Sequence, residues 1–413
     1  QVRLSFFGAG NDVVVAWNTV AQQESAVQYG TSASALSLSA TGTSGNYSEG
    51  TFEHSVALRG LKASTQYFYR CGSDAAGWSH VFSFNTLVSD GTEAPLTISV
   101  YGDMGISNSE ATVANLVNTK SDYDFILHVG DFSYADDRLD TAKEFEETWN
   151  QWQQLVEPLS ASLPYMVCPG NHEASCHSFG DFFCPPSTLN FTAYNHRFKM
   201  PALPSGGTQN MWYSFNVGMA HFIMLDTETD MGEHSPEENS LWKSGGFGDQ
   251  LKWLQADLAA AVANRKTHPW IIVSGHRPMY TSSKSGTDNL IWPNATGHLR
   301  DAIESQLHAA DVDYYLCGHV HAQERMYPVY RNVTLGKSYD NPASLVHLVV
   351  GSAGNMEGVS GWAPGTPDWL AFRSRDYGTG KLTLHNSTHS TWSYIRAADG
   401  AVLDTINVVK SRA

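Results

Sequence analysis

Five short apolar runs in this chain end in the same way. Each meets a glycine beside an aspartate, an asparagine or a histidine. The endings are Gly102-Asp103-Met104-Gly105, Gly130-Asp131-Phe132-Ser133-Tyr134, Gly170-Asn171-His172-Glu173, Gly275-His276-Arg277-Pro278 and Gly318-His319-Val320-His321. Glycine allows a sharp turn and a close backbone approach. In the last ending, side chains at i and i+2 can enter one site from the same face. Aspartate, tyrosine, asparagine and histidine together mix hard oxygen donors with imidazole, which is a metal-binding inventory. One such ending is usually an ordinary turn. Five in one chain, each after an apolar run, point to a shared site.

That chemistry requires the endings to lie on one rim. From Leu96 onward the pattern supplies one. Thr97–Tyr101 reads as a strand, Glu110–Thr119 as a helix and Phe125–Val129 as a strand, which makes a βαβ unit. Helical patterns recur at Thr141–Val156, Asp249–Asn264 and Leu299–Ala309. Apolar strands recur at Pro164–Val167, His221–Leu225, Trp270–Val273, Tyr314–Cys317 and Leu345–Val350. Open α/β sheets bind ligands beyond the carboxyl ends of their strands. Trp149 and Trp152 are three apart in a helical pattern and read as core. Asp136 and Asp137 read as a solvated turn beside the site. The tail from Gly380 to Val409 returns to β alternation.

The first part of the chain reads differently. Strands alternate polar and apolar residues in Val13–Trp17, Ala26–Tyr29, Glu53–Leu58, Gln66–Cys71 and His80–Asn85, with Gly and Ser turns between them. Short strands at this spacing suggest a small β-sandwich. Leu87–Pro95 is a polar connection.

Composition narrows the class. The chain has 413 residues, 42% of them hydrophobic and 16% charged, which is enough for packed cores. No apolar run approaches the roughly 20 residues of a membrane span. The net charge is −16 and no basic stripe occurs, so nucleic-acid binding is not expected. Protonation of the 17 histidines in an acid medium would roughly cancel that charge. The chain begins at Gln1 without an initiator Met and reads as a mature, secreted chain after signal-peptide removal. Asn46, Asn190, Asn294, Asn332 and Asn386 lie in N-glycosylation triplets, which fits an extracellular protein.

The five cysteines leave at least one thiol unpaired in a monomer. Cys176 and Cys184 lie close together in a Phe/Pro-rich loop and are expected to form a disulfide. Cys317 ends an apolar strand and reads as a buried small hydrophobe. No CxxC pair exists, which disfavours a thiolate zinc site.

The ordered set of five endings resembles the metallophosphoesterase superfamily. Tyr134, three residues after Asp131, narrows the resemblance to the purple acid phosphatases. Leu61–Tyr67 with Tyr69-Arg70 is similar to the strand corner of a fibronectin type III domain, and Leu316–Arg325 and Tyr377–Tyr394 look like the two-domain plant and fungal members. The resemblance implies a multidomain β plus α/β fold. A fibronectin III-like β-sandwich at 1–90 and a linker at 91–95 precede a metallophosphoesterase α/β sandwich of two packed mixed sheets at 96–413, ending in a β segment at about 377–409.

The same resemblance implies the site. Asp103, Tyr134 and His321 would bind a first metal, Asn171, His276 and His319 a second, and Asp131 would bridge them. The family's first metal is Fe(III); its second is Zn(II), Mn(II) or Fe(II); a bridging hydroxide joins them. A phenolate beside two carboxylates independently favours a trivalent ion. The implied enzyme is a metal-dependent acid phosphatase, in which a metal-bound hydroxide attacks a phosphate monoester. A phosphodiesterase or a phytase on the same plan is the alternative. Substrates are small phosphorylated molecules, with phytate among the options. No nucleic-acid or membrane partner is expected, and the family contains both monomers and homodimers.

His172 matches the family's phosphate-contacting histidine, and Asn171 beside it would share the substrate. Arg277 can reach phosphate or form a structural salt bridge. Glu173 and Glu324 can orient ligand imidazoles or serve as polar rim residues, and Arg325 can pair with such a carboxylate. The chain departs from well-studied plant members in the loop after His276. There Met279-Tyr280-Thr281-Ser282-Ser283-Lys284 contains no histidine, and His298 lies too far along to align. His172 is then the best leaving-group acid. Metal-bound water, or no acid at all, is the alternative.

Overall fold

The computed structural model describes residues 1–8, 11–48, 50–137, 142–177, 184–229, 245–284 and 295–411. An N-terminal β-sandwich is followed by an α/β unit with two mixed sheets. In the sandwich, one sheet has the order Arg3–Phe6, Val13–Thr19, Thr51–Leu58, Thr43–Ser48. The other runs Leu38–Thr41, Ala26–Gly30, Gln66–Ser73, Gly77–Trp78, with Phe82–Asn85 also pairing with Gln66–Ser73. Alternate residues from both sheets make one core, including Val15, Val27, Val56, Tyr69 and Phe84.

The first sheet of the α/β unit has the order Tyr165–Cys168, Phe125–Val129, Leu96–Tyr101, Gly378–Leu384, His389–Arg396, Val402–Val409. Its first three strands are parallel, and the C-terminal three join antiparallel. The second sheet has the order Tyr213–Val217, Ala220–Met224, Trp270–Ser274, Tyr314–Cys317, Val346–Val350, Gln323–Met326, Leu370–Ser374. Ala220–Met224 through Val346–Val350 run parallel. Apart from Thr97 on Leu96–Tyr101, these parallel strands are buried along their whole length, as strands packed on both faces must be.

The chain's first strand belongs to both units. Leu4 bridges Pro164, and the Phe6 ring meets Phe125 edge-on at 5.3 Å. Trp149 and Trp152 lie on helix Ala142–Ser160 and are fully buried, as their spacing suggests. No helix among the described residues is long and apolar enough to cross a membrane. Cys176 and Cys184 form a disulfide, and Cys71, Cys168 and Cys317 are buried free thiols.

Candidate metal centre

Three of the five endings come from one sheet and two from the other. Leu96–Tyr101, Phe125–Val129 and Tyr165–Cys168 deliver Asp103, Asp131 and Asn171; Trp270–Ser274 and Tyr314–Cys317 deliver His276, His319 and His321. The turns interlock through backbone bonds. Asp103 N–H donates to Gly130 O at 3.1 Å, and Gly318 N–H to His276 O at 2.8 Å. Glycine is required where the turns nearly touch. A Cβ at Gly170 would collide with the Asp131 carboxylate, and one at Gly318 with the Asp103 carboxylate. Asp103, Asp131, Tyr134 and His319 all take left-handed backbone conformations, with φ of 58°, 55°, 53° and 65°. Each costs about 1–3 kcal/mol, and such strain gathers at functional sites.

The donor atoms fall into two groups that share Asp131. One holds Asp131, His276 and His319, the other Asp103, Asp131 and His321, with ligand atoms within 4.8 Å of one another in each. His276 Nε2 lies 3.0 Å from Asp131 Oδ2 and 3.2 Å from Asn171 Oδ1. Tyr134 OH lies 3.3 Å from Asp103 Oδ1 and 3.2 Å from His321 Nε2.

The tautomers follow from the other ring nitrogens. His276 Nδ1 donates to Val129 O at 2.8 Å, and His321 Nδ1 donates to Gly358 O at 3.0 Å. Each Nε2 is therefore the face turned to the carboxylates. Lone pairs of carboxylate, amide and imidazole converging on one point repel unless a positive charge sits among them. In the ion-free chain a proton does so. Burial opposes charge on His276, yet the neighbouring Asp131 raises its pKa to about 9. Asp131 is held well below the ordinary carboxylate range, where His276 and His172 overcome its burial. Burial pushes the Asp103 carboxyl up, and burial with Asp103 pushes the Tyr134 phenol well up. The residues present therefore fit two adjacent cations, which would supply the positive charge that Asp131 otherwise draws from His276 and His172.

His319 has a different neighbour. Arg277 Nη1 sits 3.1 Å from its Nε2, and burial with that guanidinium keeps His319 well below the ordinary imidazole range. Arg277 is itself paired with Glu228, Nη2 to Oε2 at 2.7 Å and Nε to Oε2 at 2.8 Å.

The residues expected around the ligands sort as follows. Glu173 hydrogen-bonds no imidazole among the described residues; it accepts backbone N–H groups of Asp131, Phe132 and Gly170. Glu324 too is occupied by other groups. It bonds the hydroxyls of Thr281 and Ser282 and the Ser282 N–H, and so shapes the loop after His276. Arg325 does not pair with Glu324; its guanidinium makes two bonds to Asp404, at 2.7 and 2.8 Å. Neighbours in a strand point to opposite faces, so Glu324 and Arg325 were bound to part.

Asp136 is not solvated. It is 4% exposed and accepts from His172 Nδ1 at 2.8 Å and from His177 Nδ1 at 2.7 Å. His172 lies against the Tyr134 ring at 4.1 Å, with Nε2 turned towards Asp131. Burial opposes its charge, but Asp136 and Asp131 hold its pKa well above the ordinary value.

Sequence reasoning misread Asp136 as solvated and missed His177, Glu228 and Glu357. Glu357 Oε2 lies 3.7 Å from His321 Nε2, and its Oε1 4.0 Å from His172 Nε2. One partial signal was present: Val346–Val350 also runs into a glycine, Gly351, although Ser352 and not a ligand type stands beside it.

Comparison with known proteins agrees along the whole chain. Residues 1–86 match the purple acid phosphatase N-terminal domain, 96–323 the calcineurin-like phosphoesterases and 344–405 the iron/zinc purple acid phosphatase-like protein C. Acid phosphatase type 7 of Homo sapiens is 35% identical, over 99% of this chain and 90% of that protein. Purple acid phosphatase 22 of Arabidopsis thaliana is 33% identical, over 97% of this chain and 82% of its own length. Among solved structures, purple acid phosphatase PPD1 from yellow lupin seeds superposes with a TM-score of 0.81 at 22% identity, over 99% of this chain and 74% of that one, and so shares the fold.

Proposed function

Because this chain belongs to the purple acid phosphatase family, we propose that Asp103, Tyr134 and His321 hold one cation, Asn171, His276 and His319 a second, and that Asp131 lies between the two. The enzyme is an acid phosphatase with a dinuclear metal site. One observation carries the ligand assignment: the Asp131 carboxylate belongs to both convergent donor groups.

A phenol beside two carboxylates is a hard, anionic set, which favours Fe(III) at the first site; two imidazoles and an amide oxygen suit Zn(II), Mn(II) or Fe(II) at the second. When bound, such a pair makes water nucleophilic at acid pH and offsets charge on the phosphate oxygens. The chain's own residues do the rest. His276 and His321 are locked by Nδ1 bonds to backbone carbonyls, so neither ring can turn. His172 holds a proton at Nε2 and offers it to phosphate or to the leaving oxygen. Asn171, beside it, shares the substrate side of the second cation. Arg277 keeps two nitrogens on Glu228 and turns Nη1 towards the site, the end that would meet a phosphate oxygen. Export is supported by the exposure of Asn46, Asn190 and Asn332 as glycosylation acceptors; Asn386 is half-buried, and Asn294 lies outside the described residues.

The ferric assignment is tested by the visible spectrum. A tyrosinate–ferric band is expected in the wild type and should vanish in Tyr134→Phe. A colourless, iron-free, active wild type would overturn it. Substrate class is tested with mono- and bis-(4-nitrophenyl) phosphate, and much faster turnover of the diester would overturn the monoesterase reading.

A further inference from the structure

We propose that His177 is a positioning residue for His172 and acts through the carboxylate of Asp136. The inference rests on the reading above, taken at the leaving oxygen, to which His172 gives its proton. His172 Nδ1 lies 2.8 Å from Asp136 Oδ2 and 3.0 Å from Oδ1. His177 Nδ1 lies 2.7 Å from the same Oδ2. One buried oxygen therefore takes N–H groups from two imidazoles.

The arrangement sets the direction of His172. With Nδ1 held from behind, its Nε2 faces the cation site, 3.9 Å from Asp131 Oδ2. The Tyr134 ring lies against one side of the imidazole, which can still rotate about its own bond unless Nδ1 is held. That rotation is fixed by Asp136, and Asp136 is braced in turn by His177. Without this second donor the carboxylate can turn about its own bond and carry His172 with it.

His177 is itself tethered. It follows Cys176, whose disulfide to Cys184 closes the loop, and its backbone N–H donates to Ser175 Oγ at 3.0 Å. Its φ is 49°, in the left-handed region that histidine enters more readily than most residues. The side chain is 33% exposed, so the ring lies between solvent and the buried pair. The loop after His276 brings no histidine to the site. The segment following Asn171 supplies two, and they share one carboxylate.

The test uses the full-length, metal-loaded enzyme as wild type, His177→Ala and His177→Asn. Asparagine places an amide N–H near the position of the histidine Nδ1. kcat and KM are measured on glycerol 2-phosphate, whose alkoxide needs a proton, and on 4-nitrophenyl phosphate, whose phenolate barely does. His177→Ala should lower kcat on glycerol 2-phosphate on the order of tenfold, as expected for a misplaced catalytic group. KM, metal content and turnover of 4-nitrophenyl phosphate should change little, and His177→Asn should restore most of the loss. Equal losses on both esters, loss of metal, no rescue by asparagine, or no change at all would overturn the inference. If His177→Ala does not fold, His177→Asn is compared with His177→Gln, whose amide falls near the Nε2 position; equal activity of the two would overturn it. A wild type that cleaves neither ester overturns the phosphatase reading and this inference with it. An active wild type with indifferent variants overturns this inference alone.

Discussion

Glu173 accepts the backbone N–H of Asp131 on Oε2 at 2.8 Å. The same oxygen takes the Gly170 N–H at 2.9 Å, and Oε1 takes that of Phe132 at 3.0 Å. One buried carboxylate thus ties the turn carrying Asp131 to the turn carrying Asn171. Burial and the Asp131 charge push its pKa up to about 8, while the donated N–H groups pull the other way. Glutamine keeps the shape but turns an NH2 group onto a backbone N–H. A buried donor left unpaired costs about 1–3 kcal/mol. Above pH about 8, where Glu173 is ionised, Glu173→Gln should therefore lower the melting temperature and weaken metal binding, and Glu173→Ala should do so further. An unchanged melting curve and unchanged metal titration would refute this role.

Asp131→Asn asks whether one carboxylate serves two ions. Asparagine tolerates the left-handed backbone well, so the φ of 55° should survive the change. The lost charge should not be tolerated. Elemental analysis should find at most one metal per chain, with phosphatase activity abolished. Two metals retained in the variant would show that Asp131 does not bridge.

Arg197 holds the sandwich against the α/β unit. It is fully buried, with Nη2 on Glu146 Oε2 at 2.6 Å and Nε on the hydroxyl of Tyr47 at 2.8 Å. Glu53, which also pairs with Arg3, lies 3.8 Å from Nη1. Removing one partner of a buried ion pair strands the others, at about 3–5 kcal/mol. Arg197→Ala should lose that much by denaturant unfolding and should split a single calorimetric transition into two. A loss smaller than that of an ordinary surface arginine would sink the argument.

His347 should make the fold sensitive to acid. Its ring lies between Tyr280 and Tyr315, and neither nitrogen has a hydrogen-bond partner among the described residues. Burial, helped by Arg300, lowers its pKa from 6.5 to about 3. Between those values the unfolded chain binds a proton that the folded chain refuses, so stability falls as pH drops through 6.5 towards 3. At pH about 4.5 the loss is about 2–3 kcal/mol. His347→Leu should flatten this dependence. Urea midpoints at pH 4.5 and pH 7 decide it, and an identical pH slope in the two proteins would contradict it.

The five endings were legible because a local rule governs each. Glycine is needed where turns touch, and the proposed donors stand beside it or within four residues of it. Burial set by distant parts of the chain was not legible. Asp136 follows Tyr134 and Ala135 and looks like a turn, yet it is covered by His172 and His177 from another segment. Gln323–Met326 is a fully buried strand with Glu324 and Arg325 at its centre, and its charges conceal it. Their partners, Ser282 and Asp404, lie far away in sequence. Leu38–Thr41 shows no apolar alternation because it is largely exposed at a sheet edge. Glu357 escaped because it stands seven residues beyond the end of its strand.

The four left-handed residues at the strand ends behave like wound springs held shut by their surroundings. On the proposed ligand set, neighbouring segments would keep the donors in place before any ion arrives, so capture need not reorganise the site. A substitution well outside the coordination sphere that lets one of these turns unwind will therefore resemble the loss of a ligand. Variants that bind metal weakly should be checked for a slackened turn before a coordinating role is assigned to the altered side chain.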